Sequence, residues 1–447
     1  MSICLTAFYH NGSEIPKEKS GTICCMSKKK TLLTGFAIFT GLIILAVIVW
    51  NIPGIQERYG WRLDFARAYV RGVINPVKPL PTPRVVYAAS FPTGTPQSTP
   101  VLTQEVDVLT PTSSSSPAPT PTITPTPTPL PPQVLLPEPE YVKQDINNCG
   151  PATLAMALKF YGWKGAQEDI AKEVKPMRDD RNVNVEELAQ YVLHNVGWLR
   201  LQYRVGGNID RLRQFIAAGI PVMIEETFMM EESYWPNDDR WAGHYLLLTG
   251  YDDEQKIFIA QDSFVSPNLR VGYSDLDKNW QSFNRVYIVL YYPEQEDTVK
   301  AILGEDWDLD KNRMNALKQA QHETQQEPSN AFAWFNLGTN LVYFDRYHEA
   351  AQAYDQARKI GLPQRMLRYQ FGPFMAYFHD FRIDELMALT EYALKITPNS
   401  EEAMLWRGWG LYRLGKREEA YKMFLKALGE HPGYADAQYA IQYVTQN

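Results

Sequence analysis

QDINNCGPATLAMAL, residues 144–158, is the stretch on which the reading of this chain turns. Asn147 and Asn148 are residues that open helices, Pro151 fits a first helical turn, and Ala152–Tyr161 is rich in helix formers. A helix is therefore predicted to begin at Cys149. Unpaired N–H groups and the positive end of the helix dipole would there favour the thiolate, the form that attacks carbonyl carbon. The chain has four cysteines, Cys4, Cys24, Cys25 and Cys149, and only Cys149 follows the apolar segment near the N-terminus. No disulfide can form within that C-terminal part, and a solitary thiol in an oxidising compartment must be buried or used. No cysteine or histidine stands near Cys149 at metal-ligand spacing, so neither a metal nor a cofactor is expected.

A thiolate nucleophile needs a base, and the base needs a group to orient it. Of seven histidines, His10 precedes the apolar segment, His194 falls in a predicted helix, and His322, His348, His379 and His431 lie in the helical C-terminal region. His244 remains. It opens HYLLLTGYDDEQKIFIAQDSF, residues 244–264, two apolar runs around a polar turn that read as a β-hairpin. A turn centred on Asp253 would set His244 opposite Asp262, with Cβ atoms ~5 Å apart, close enough for the carboxylate to hold an imidazole N–H. A one-residue slip would put the two on opposite faces. Taken singly, Cys149 reads equally as an inert buried thiol, His244 as a satisfied core histidine and Asp262 as a turn residue. Taken together, in this order, they read as a catalytic set.

With both motifs in order, the chain from about Leu136 to Pro293 resembles the papain-like cysteine peptidases of the bacteriocin-processing, double-glycine type. The resemblance implies an α+β papain-like domain over residues 136–296, hydrolysing peptide bonds with Cys149 as nucleophile, His244 as base and acid, and Asp262 as orienting residue. It further implies Gln144 as a side-chain donor to the oxyanion, although Gln144 stands five residues before Cys149 where many papain-like enzymes have six. The same triad also serves amide or acyl transfer, and folds of this kind persist as non-catalytic binding modules.

Upstream, residues 31–50, TLLTGFAIFTGLIILAVIVW, run for twenty residues without a charge, the length of a transmembrane helix. Lys28, Lys29 and Lys30 abut it and favour residues 1–30 as a cytoplasmic tail, with the remainder outside the cytoplasm at the cell membrane. Residues 51–78 read as a juxtamembrane segment carrying arginines at the headgroups, and 79–135, dense in Pro, Thr and Ser, as an extended stalk with no core to form.

From residue 301 to 447 the chain is helical and self-similar. Pro328, Pro363, Pro398 and Pro432 recur every 34 or 35 residues, and an offset of two periods superposes Gly338 on Gly408, Ala350 on Ala420 and Tyr354 on Phe424. This resembles tetratricopeptide repeats over Ser329–Pro432, the middle copy degenerate with Phe374 and Leu386 at its small positions, and Tyr434–Gln446 a capping helix. Such arrays imply a protein or peptide partner, or a brace for the neighbouring domain. The formal charge of −7 gives no basis for nucleic-acid binding. The acidic run Glu225, Glu226, Glu231, Glu232, Asp238 and Asp239 reads as a solvated rim before His244, with Trp235 and Trp241 walling a cleft.

Overall fold

The computed structural model describes residues 23–51, scattered positions between 66 and 76, residues 78–84, and 129–446 apart from 178, 179, 181 and 234–238. The tail 1–22, most of the juxtamembrane segment, the stalk from 85 to 128, Trp235 and Asp238 lie outside the described residues. Two compact units result, Met1–Ala68 and Tyr69–Asn447.

The first unit contains helix α1, Ile23–Trp50, whose side chains are described from Gly35 onward. Among the described residues no helix is long and apolar enough to cross a membrane. The expected span over 31–50 lies within α1, and the side chains of residues 31–34 fall outside what is described.

In the second unit an antiparallel sheet has the order β2 (Arg200–Arg204), β7 (Tyr287–Tyr291), β3 (Val222–Met229), β4 (Trp241–Asp252), β5 (Ile257–Gln261), β6 (Leu269–Gly272). Strand β1, Gln133–Leu135, pairs with residues 250–252 of β4, beyond the point where β3 begins. Residues expected to end the stalk therefore belong to the sheet, because the far end of β4 would otherwise leave main-chain groups unpaired. On one face of the sheet, Val222, Ile224, Leu246, Leu248, Phe258 and Tyr287 pack against Leu212, Phe215 and Ile216 of α5 (Ile209–Ala217) and Trp280 of α6 (Tyr273–Trp280). On the other lies α2, Cys149–Phe160, preceding α3 (Gln167–Val174) and α4 (Val185–Asn195); it is tied down by Thr153 Oγ1 donating to Tyr245 O at 3.2 Å.

After α7 (Glu296–Leu303) and α8 (Leu309–Gln326) come the paired helices α9 (Ala331–Tyr343) and α10 (Tyr347–Ile360). The short α11 (Met366–Tyr369) leads into the pair α12 (Gly372–His379) and α13 (Ile383–Ile396), then α14 (Glu401–Arg413) and α15 (Arg417–Glu430), with α16 (Ala435–Gln446) last. The periodicity has a steric basis. A Cβ on Gly338 would lie 2.8 Å from the Tyr354 ring, and one on Gly408 2.3 Å from Phe424, so both aromatics fill space that only glycine leaves. In the middle copy α12 has 8 residues against 13 in α9, and buried Phe374 stands there instead. The segment expected to start the stalk lies along the repeats: Leu80 is buried, Arg358 Nη2 donates to Pro81 O at 2.7 Å, and Arg84 N donates to Glu385 Oε1 at 2.8 Å.

The repeats are packed onto the sheet domain. The amides of Asn284 and Asn340 exchange two buried hydrogen bonds of 2.9 and 3.1 Å, Asn336 Nδ2 donates to Gln281 O at 2.7 Å, and Arg285 Nη1 to Glu323 Oε1 at 2.6 Å. Replacing Asn340 by Leu strands the buried Asn284 amide. Denaturant unfolding followed by tryptophan fluorescence is expected to show a loss of about 1–3 kcal/mol; an unmoved midpoint would mean this junction contributes nothing.

Candidate active site

Cys149 is the first residue of α2, following a turn in which Asn148 N donates to Asp145 O at 3.2 Å. Asn147 has φ 53°, a left-handed conformation that asparagine tolerates better than most residues, which accounts for the paired asparagines. Gln167 holds this turn from α3: its Oε1 accepts from Asn148 Nδ2 at 2.6 Å and Asp145 N at 3.1 Å, while its Nε2 donates to Lys143 O at 2.9 Å. Lys175 Nζ donates to Asn147 O at 2.9 Å. Neither Gln167 nor Lys175 was legible in the sequence, since nothing local links them to residue 149.

The hairpin forms, with a different centre. Leu247 pairs with Gln261 and Asp252 with Ile257, with a register shift between Leu248 and Gly250, so the turn is Asp253–Lys256 and Lys256 takes φ 55°. His244 is thus not the cross-strand partner of Asp262. Strand β5 ends at Gln261 while β4 continues toward Trp241, and the chain beyond β5 folds back on itself there. Asp262 N donates to Ser266 O at 3.1 Å, and Asp262 Oδ1 accepts from Phe264 N at 2.7 Å and Val265 N at 3.0 Å. This turn, with Tyr141 Oη on Asp262 O at 2.9 Å, carries the carboxylate to His244, where Oδ1 lies 2.8 Å from Nε2. Contact comes from a loop, not from strand register.

His244 lies close enough to Cys149 for each to shift the other's ionisation, so the structure brings Cys149, His244 and Asp262 together. Burial alone would push the Cys149 thiol up. The hydrogen bond and charge of His244, a bond from the Tyr245 main chain and the charge of Lys175 outweigh it and leave the thiol below its ordinary range. Burial would likewise strip the proton from His244, but Asp262 and Cys149 outweigh it and raise the imidazole to about 10. Asp262 is pushed up by burial and held down, below the usual carboxylate range, by His244 and the N–H groups of Val265 and Phe264. Both shifts run toward thiolate beside imidazolium.

Gln144 lies on the segment entering the turn. Its N–H donates to Ser263 O at 2.9 Å and its Oε1 accepts from Ser263 Oγ at 2.9 Å, which directs the amide nitrogen elsewhere. The expected acidic rim divides. Glu231 and Glu232 are exposed, whereas Glu225 and Glu226 are buried in β3, opposite Tyr245 and His244. Strand alternation inside a covered sheet, not charge, decided their place. Trp241 is buried too: it stacks on Phe283 with centroids 5.7 Å apart and meets Tyr369 at 5.6 Å, so it belongs to the junction with the repeats, where it lines a cavity with Gln281, Glu323 and Asn330.

A cysteine at the start of a helix docked on an antiparallel sheet, met by a histidine from the sheet and an aspartate from the loop after β5, is the arrangement of the papain-like class of cysteine peptidases. Within that class, residues 135–289 match the model described as the Peptidase_C39 like family, which makes this part of the chain a cysteine peptidase domain, a hydrolase by class. No curated protein matches the chain. Among solved structures it is similar to a Bacillus anthracis protein described as a C39-like peptidase, at 20% identity over 36% of this chain and 97% of that one, TM-score 0.29. It is also similar to a double glycine motif protease from an AMS/PCAT transporter in complex with the leader peptide, at 16% identity over 36% and 98%, TM-score 0.26. A further match is YrrB, a TPR protein with an unusual peptide-binding site, at 21% identity over 30% and 68%, TM-score 0.26.

Asp262→Asn keeps the shape of the site and removes the counter-charge of the imidazolium. Alkylation of Cys149 by iodoacetamide at pH 6, followed by mass spectrometry of the Cys149 peptide, is expected to slow by on the order of 100-fold. In the unsubstituted chain the rate should hold well below the pH at which free thiols ionise, falling only where acid protonates the thiolate. A variant as reactive as the parent would remove Asp262 from the site.

Proposed function

We propose that this chain is a membrane-anchored peptidase that cleaves peptide bonds outside the cytoplasm through Cys149, His244 and Asp262. The observation that carries the reading is a thiol at a helix N-terminus beside a buried histidine whose Nε2 lies 2.8 Å from Asp262 Oδ1. In the first step the Cys149 thiolate attacks the peptide carbonyl carbon. Negative charge passes to the carbonyl oxygen, where the amide nitrogen of Gln144 and the N–H of Cys149 donate. His244 gives its proton to the leaving amine as the C–N bond breaks, leaving a thioester on Cys149 and a neutral imidazole. Water then loses a proton to His244 and attacks the thioester, releasing the acid and restoring thiolate and imidazolium.

Helix α1 is the anchor in this reading. Its backbone helix encloses the charge-free run 31–50, and Phe36, Phe39, Leu42, Ile44 and Ile48 are all more than half exposed, a surface suited to lipid. The lysines at 28–30 place the N-terminal tail inside. The repeats brace the peptidase domain through the Asn284 and Asn340 amides, and their outer face is available to a protein partner.

Digestion of a peptide library by the full chain and by Cys149→Ala decides the activity: cleavage by the parent alone is expected, and equal digestion by both sinks it. Fractionation without detergent should sediment the full chain with membranes and leave a chain starting at Pro53 in the supernatant. Identical partitioning of the two would remove the anchor.

A further inference from the structure

We infer that Glu226 is a positioning residue for His244, a second carboxyl set across the β3–β4 ladder as reserve counter-charge to the imidazolium. The inference rests on the catalytic reading of His244 and adds to it. Glu226 pairs directly with His244 in the register of β3 and β4, which puts both side chains on one face of the sheet with Cβ atoms ~5 Å apart. Both residues are more than nine-tenths buried. The Glu226 Oε2 atom is fully buried and has no hydrogen-bond partner.

A carboxyl in that situation is costly and needs a compensating charge. The titratable groups that face it are His244 on β4 and Asp262 beyond β5, with Cys149 on α2 across the imidazole. Glu225, its neighbour in sequence, turns to the opposite face beside Tyr245. Asp262 holds Nε2 of His244 and Glu226 Oε2 has no hydrogen-bond partner, so Glu226 acts on the ring through space. Aromatic rings flank the imidazole: Phe228 lies 5.2 Å from it and 5.4 Å from Phe264, whose ring meets the imidazole edge-on at 6.5 Å.

Burial pushes the Glu226 carboxyl up to about 8, with His244 opposing and Asp262 reinforcing the shift. Near neutrality Glu226 is therefore neutral, and Asp262 is the carboxylate that faces the imidazolium. At higher pH Glu226 ionises and its charge holds the proton on His244. The group that donates to the leaving amine is thereby kept protonated in alkaline conditions.

Glu226→Gln keeps size and polarity and cannot ionise. In the full chain with ¹⁵N-labelled histidine, the pH at which the His244 ring loses its proton is expected to fall by about one unit. The acid-side inflection of Cys149 alkylation should stay in place, because Glu226 is neutral there in both proteins. An unmoved His244 titration overturns the inference, and so does an equal displacement of both inflections, the signature of a purely structural role. Should the variant not fold, the unsubstituted chain carries the test. Its His244 ring signals should register a first step near pH 8, where Glu226 ionises, and a single-step titration overturns the inference. The two readings fail separately. Cys149 alkylated no faster than free cysteine overturns the catalytic reading, whereas a reactive Cys149 beside an unmoved His244 overturns the role of Glu226 alone.

Discussion

Strand β4 outruns its neighbour β5 by several residues, and the site is built in the space this leaves. Where β5 stops at Gln261, β4 carries on through His244 to Trp241 with β3 on one side only. The vacated side admits the N-terminus of α2, so that the Tyr245 main chain bonds Cys149, and the turn Asp262–Ser266, so that a carboxylate meets the imidazole. Had β5 continued, its main chain would occupy the place that thiol and carboxylate now take.

The electrostatics follow from that enclosure. The imidazolium is disfavoured by burial and rescued by Asp262 and Cys149, and each of those is in turn held toward its charged form by His244, so the three protonation states are linked through the ring. Such a set tolerates little movement. Gln167 and Lys175 tie down the turn before Cys149, the N–H groups of Phe264 and Val265 hold Asp262, and Thr153 links α2 to β4.

The repeat array bears on the same strand from the other face. Gly243, next to His244, has room for no side chain: a Cβ there would lie 2.7 Å from Phe283 and 3.1 Å from Tyr369 of the repeat region. Trp241 is sandwiched in the same contact, and Arg365 Nη1 reaches Trp241 O at 3.4 Å. The degenerate middle repeat makes these contacts. Its short α12 and the added α11 depart from the repeat pattern where the array meets the strand that carries His244.

By itself the sequence determined what depends on neighbours along the chain. The helix starting at Cys149 follows from propensity, while the Asn148 side chain caps nothing and bonds Gln167 instead; the hairpin follows from two apolar runs about a polar turn, and the repeat period from glycines that recur with their aromatic partners. The pairing of His244 with Asp262 was legible as a likeness of order and spacing, but the register inferred for it was wrong by the physics of the turn: the turn is Asp253–Lys256 and is not centred on Asp253, and a loop makes the contact. Only the tertiary structure decided which charges are buried. Glu225 and Glu226 look like a solvated rim because their charge is visible in sequence, whereas the strand that buries them is defined by partners 20 residues away in β4 and over 60 away in β7. Burial, and the shifted protonation that comes with it, is a property of what packs against a residue, and no local pattern records that.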